Sequence, residues 1–213
     1  MGFGRWTRRD FIAAGLAGCY ALQAGAAATP VILVLGDSLS AEYGIRRGTG
    51  WVALLEQQLA REKLPAKVVN ASISGDTTSG GRSRLQALLK QHRPTHVVIE
   101  LGANDALRGL PLAMTEDNLS AMTQAAQKAG AKVLLVGMQV PPNYGTDYTN
   151  RFAGLFAQVA KKHKAGLVPF LLKGVADAPD APRLFQRDGI HPVEAAHPQM
   201  LANVWPELKK LLK

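Results

Sequence analysis

Apolar and polar positions alternate between two rhythms along this chain. Val31-Ile32-Leu33-Val34-Leu35 is a continuous apolar run closed by Gly36, as expected of a strand buried on both faces. Lys67 to Ala71, His96 to Leu101, Lys132 to Met138 and Leu167 to Phe170 read as four more strands. Between them the spacing turns helical. Trp51 to Glu62 sets Trp51, Leu54, Leu55 and Leu59 on one face, and Arg82 to Gln91, Thr115 to Lys128 and Tyr148 to His163 follow. Thr115 is the expected cap of its helix and Gly130 its stop. Pro192 to Leu212 reads as a terminal helix, with Pro198 or Pro206 as a bend. Strands alternating with helices predict a parallel sheet with right-handed crossovers, hence an α/β protein built as a three-layer α/β/α sandwich. No internal repeat, low-complexity linker or second domain interrupts the pattern.

The first 28 residues break this rhythm. Arg8-Arg9 precede the apolar, Ala- and Gly-rich run from Phe11 to about Ala28. A basic head, an apolar middle and a small-residue end describe an export signal. The arginine pair followed by Phe11 resembles the twin-arginine type. Leu16-Ala17-Gly18-Cys19 resembles a lipobox, whose cysteine is acylated. The expected organisation is an export signal over 1–28 and one domain over 29–213. That places the protein in the periplasm or outside the cell, with a lipoprotein anchored through Cys19 as the alternative.

Composition narrows the class further. Hydrophobic residues at 47% and charged residues at 19% suit a globular domain and exclude a disordered one. The net charge is +9, of which the first 28 residues hold +2 and the rest +7. Lys and Arg are spread as single residues and pairs such as Lys161-Lys162, without interleaved aromatics. This pattern favours a positive solvated surface over a nucleic-acid site, and leaves open an attraction to anionic lipid. Cys19 is the single cysteine, so the domain itself holds no disulfide and no thiolate metal site.

In an open parallel sheet the ligand site lies beyond the carboxyl ends of the strands. After the first strand comes Gly36-Asp37-Ser38-Leu39-Ser40, which alone reads equally as a nucleophile turn or as a capped strand-to-helix turn. It is not the Gly-x-Ser-x-Gly elbow, because position 40 is serine. After the second comes Ser72 to Gly81, a polar, Gly-rich loop whose backbone N–H groups are free for a ligand or for solvent. After the third comes Gly102-Ala103-Asn104-Asp105, where Asn104 can donate into a cleft or cap a turn. Near the end stands Asp188-Gly189-Ile190-His191-Pro192. A nucleophilic serine needs a base, and the base an orienting group. Asp188, three residues before His191, can hold its Nδ1–H and leave Nε2 for Ser38. His92, His163 and His197 fall within or between helices, where solvated positions are expected, and His96 opens a strand. His197 is the nearest rival base, or else a cap before Pro198.

These blocks, in this order, resemble the GDSL family and its SGNH hydrolase branch, whose Ser, Gly, Asn and His are matched by Ser38, Gly75, Asn104 and His191. The resemblance runs from Val31 to the end. It is closest to the bacterial thioesterase, lysophospholipase and arylesterase type, through Leu35 to Ala41, Val69 to Thr77, Pro142 to Gly145 and Asp188 to Pro192. Ala103 departs from the type's Gly-Gly-Asn-Asp, and Ala106 to Leu110 resembles its mobile loop with different details.

The resemblance implies a flavodoxin-like fold with a five-stranded parallel sheet. It implies a serine esterase or thioesterase with the triad Ser38, Asp188 and His191. The implied oxyanion hole is made by the N–H groups of Ser38 and Gly75 and the amide of Asn104. No metal or organic cofactor is called for. The expected substrate is a small acyl ester or lipid: an aryl ester, lysophospholipid or acyl thioester. Nucleic acid is not an expected partner, a monomer is, and membrane-surface association stays open. The alternatives are a carbohydrate acetylesterase and a catalytically silent lipid- or acyl-binding lipoprotein.

Overall fold

The structure is a computed structural model that describes Met1 and residues 29–213. The expectations on Arg8-Arg9 and Cys19 lie outside the described residues. Five strands, β1 (Val31–Gly36), β2 (Lys67–Asn70), β3 (His96–Glu100), β4 (Lys132–Val136) and β5 (Gly166–Val168), form one sheet in the order β2-β1-β3-β4-β5. Every pairing is parallel. The central register sets Leu33 beside Val97 and Val97 beside Val133, so apolar side chains stack across the sheet.

Two helical layers cover it. The helices α1 (Trp51–Arg61) and α6 (His197–Leu212) pack together on one face, and α2 (Thr78–His92), α4 (Leu112–Lys128) and α5 (Thr146–His163) line the other. A short α3 (Ala103–Leu107) follows β3. The core is continuous: Ile32 to Leu35, Val97 to Ile99 and Val133 to Val136 are all buried, with Trp51, Leu55, Leu119, Phe152 and Met200 packed over them. No helix among the described residues is long and apolar enough to cross a membrane.

Several boundaries depart from the sequence expectation. The helix expected from Arg82 begins at Thr78, so the loop after β2 is shorter than its Ser, Thr and Gly content suggests. Two contacts outweigh the poor helix propensity there. The Thr77 hydroxyl accepts from Gly80 N–H, and the Asp105 carboxylate accepts from Thr78 N–H at 2.8 Å. Thr115 is not a cap: α4 starts at Leu112, and Thr115 is buried with its hydroxyl on Asp105. The terminal helix starts at His197 rather than Pro192, with Pro198 in its first turn and Pro206 inside it.

Candidate active site

The parallel sheet carries Ser38, the loop after β2 and α3 to the same edge. Gly36 closes β1 where there is no room for a side chain. A Cβ there would lie 2.7 Å from Ser40 Oγ and 2.9 Å from Glu100 Oε2. Ser38 follows in a tight turn in which the N–H groups of Ser40 and Ala41 both donate to Asp37 O.

His191 reaches this turn from the far end of the chain. Its Nε2 lies 2.9 Å from Ser38 Oγ, and its Nδ1 lies 2.7 Å from Asp188 Oδ2. A carboxylate only accepts, so Nδ1 carries the proton and the Ser38 hydroxyl donates to Nε2. Asp188 Oδ1 also accepts from the N–H groups of His191 and Ile190, which closes the loop on itself. These bonds, led by that from His191 N–H, pull the Asp188 carboxyl down to about 2. The ring of Tyr43 lies over the imidazole with centroids 4.3 Å apart.

Gly75 sits at φ +78, a left-handed conformation that suits glycine, and its carbonyl accepts from Arg108 at 2.7 Å. Asn104, in α3, donates its amide to Asp37 Oδ2 at 3.1 Å and to Asp76 O at 2.9 Å. Arg84 ties the two loops together, pairing with Asp76 at 2.7 Å and donating to the carbonyls of Ala71 and Gly36.

Sequence reasoning missed the layer beneath. Asp37 and Glu100 are both buried, the Asp37 N–H points at Glu100 Oε2, and Ser40 Oγ donates to the same oxygen at 2.7 Å. Burial pushes Asp37 up to about 6, against the bonds from Leu39 N–H and Asn104. Glu100 is pushed well above the usual carboxylate range, chiefly by burial and then by the charge of Asp37. The available signal was a lone carboxylate at the end of an otherwise apolar strand. His197 is not solvated either: it is buried, and its Nδ1 accepts from Trp51 N–H at 3.1 Å, at the start of α1. It is therefore no rival base for Ser38.

Ser38, Asn104 and His191 line a cleft of about 550 Å³ whose walls include Leu107, Met138, Val140, Phe170, Leu172 and Ile190. Gly75 and Asp188 do not line it. The arrangement can activate a hydroxyl beside an apolar trough. Among the described residues no three His, Cys, Asp or Glu side chains gather as a metal site.

Comparison with known proteins gives the family. The family described as GDSL-like lipase/acylhydrolase matches residues 34–198. Esterase TesA of Pseudomonas aeruginosa is 51% identical over 199 residues, spanning 92% of this chain and 98% of that protein. Thioesterase 1/protease 1/lysophospholipase L1 of Escherichia coli K12 is 43% identical, over 81% of this chain and 80% of its own. A crystal structure of TesA superposes with a TM-score of 0.82 at 52% identity, over 85% of this chain and 99% of the solved one. That solved chain has almost nothing beyond this domain.

Proposed function

The chain belongs to the GDSL-like lipase/acylhydrolase family and is a hydrolase acting on ester bonds, and on that premise we propose that Ser38 is its nucleophile. His191 takes the Ser38 proton as Oγ attacks the acyl carbonyl, and Asp188 holds the imidazole in the tautomer that allows it. The tetrahedral oxyanion is received by the N–H groups of Ser38 and Gly75 and by the amide of Asn104. At rest that amide is shared between Asp37 and Asp76, so one of its protons turns to the oxyanion as charge develops. His191 then gives its proton to the leaving alcohol or thiol, and water releases the acyl group from Ser38 by the same route.

One observation carries this reading: an unbroken hydrogen-bonded chain from Asp188 through His191 to Ser38 opens into an apolar cleft. The cleft walls favour an acyl chain over an acetyl group on a sugar. The substrate class is then a lysophospholipid, an aryl ester or an acyl thioester. The signal-like residues 1–28 support an exported protein, for which cytosolic acyl-CoA is not the natural donor.

The test is hydrolysis of p-nitrophenyl esters of rising chain length by residues 29–213, beside Ser38→Ala. Turnover of medium and long chains that falls about 10⁴-fold or more in the variant is expected. Wild-type rates in Ser38→Ala would overturn the assignment, and activity confined to acetyl esters would make the enzyme an acetylesterase.

A further inference from the structure

Lysines that lie far apart in the sequence meet in the fold. The strands all start, and α1, α2, α4, α5 and α6 all end, at the sheet edge opposite Ser38. Backbone bonds knit that edge: Lys67 N–H to Pro30 O, Thr95 N–H to Val31 O and Lys132 N–H to Thr95 O. His96 Nε2 meets Leu211 O there, which fixes the end of α6 to the start of β3.

Segments 61–67, 90–93, 128–132, 161–164 and 209–213 all fall on this edge. They hold thirteen of the 22 Lys and Arg of residues 29–213, against one carboxylate, Glu62. Twelve of the thirteen are exposed. Lys209 pairs with Glu62 and Lys210 with Glu207; the other eleven have no acidic partner among the described residues. A basic residue in the last turn complements a helix dipole, which accounts for one charge per helix. It does not account for Lys63, Lys67, Lys132, Lys164 and Lys213, which stand outside the helices.

The opposite edge differs. Apart from Met1, the exposed large apolar side chains among the described residues are Tyr43, Ile73, Leu107, Tyr144 and Ile190, all in the segments that lead from the carboxyl end of a strand to the next long helix. The basic edge thus offers charge without exposed aromatics, which suits phosphate head groups better than nucleic-acid bases. It is also where Pro30, bonded through its carbonyl to Lys67 N–H, leads into β1.

We propose that this edge rests on an anionic phospholipid surface. The cleft then sits at the opposite pole and faces water, so substrate reaches Ser38 from the aqueous side and not directly from the bilayer beneath.

The test uses residues 29–213, free of the apolar segment, with sucrose-loaded vesicles of phosphatidylcholine alone or mixed with phosphatidylglycerol. Co-sedimentation with the anionic vesicles only is expected, lost as salt rises from about 50 mM to about 500 mM. Charge reversal in Lys161→Glu, Lys162→Glu, Lys164→Glu combined should weaken binding about tenfold or more. It should leave hydrolysis of a soluble p-nitrophenyl ester unchanged. Ile73→Asp, at the cleft edge, should bind like the wild type. Absence of binding, equal binding by the lysine variant, loss of binding in Ile73→Asp, or preferential capture by duplex DNA would each overturn the proposal.

Discussion

At the carboxyl edge of the sheet three carboxylates, Asp37, Glu100 and Asp105, are buried and large apolar side chains are exposed; at the amino edge the charges are exposed and no large apolar side chain is. Asp37, Glu100 and Asp105 are each no more than 2% exposed, and each is held by hydrogen bonds that also fix a site loop. The amino edge carries Lys161, Lys162, Lys164 and their neighbours in water, mostly without partners. Buried polar groups are costly to leave unsatisfied, whereas solvated ones are nearly free to change. The comparison teaches where substitution should hurt: activity and stability depend on the interlocked edge, and the other edge is open to surface recognition.

The sharpest break should come from His191→Ala, expected to stay folded and lose about 10⁴-fold or more in kcat, read with a p-nitrophenyl ester. Asn104→Ala should cost about 10²–10³ in kcat with little change in KM, because its donor is needed only as charge develops. Asp37→Asn comes next, with a loss of about tenfold in kcat, the scale of one weakened hydrogen bond. Its carboxylate accepts from both Leu39 N–H and Asn104, and an amide can accept from only one of them. Partial activity that rises again with Asp37→Glu would separate this positioning role from a general loss of folding.

Glu100→Gln should act on stability more than on rate. A carboxyl whose folded pKa is raised binds a proton in the folded state that the unfolded chain releases above its ordinary 4.5. Its contribution is therefore present at low pH and declines as pH rises above that value. Asp37 behaves alike between its ordinary 3.8 and about 6. Urea midpoints measured at pH 5 and pH 8 should fall less in Glu100→Gln than in the wild type. The smallest effect belongs to the amino edge. The combined Lys161→Glu, Lys162→Glu, Lys164→Glu variant should shift stability by about 1 kcal/mol or less in denaturant unfolding and leave soluble-ester kinetics unchanged.

Much of the fold was legible because each central strand is buried on both faces and so reads as an unbroken apolar run, Val31 to Leu35 most plainly. The candidate site was legible for the same topological reason: blocks that follow successive parallel strands must meet at one edge. Local contacts hid the rest. The α2 start is written in Thr, Ser and Gly, and only the Thr77 cap and the distant Asp105 make it helical. The α3 helix has five residues, too few to show a period. Glu100 looked like an irregularity in a strand because its partners, Asp37 and Ser40, are 60 and more residues away. The lysines looked dispersed because their meeting depends on where helices end, not on their spacing in the chain.

The most direct measurement is to treat residues 29–213 with an alkyl fluorophosphonate and locate the adduct by peptide mass spectrometry. The account predicts a single phosphonyl group on Ser38, formed with loss of esterase activity and absent from both Ser38→Ala and His191→Ala. Labelling of another residue, or inactivation with Ser38 unmodified, would contradict it.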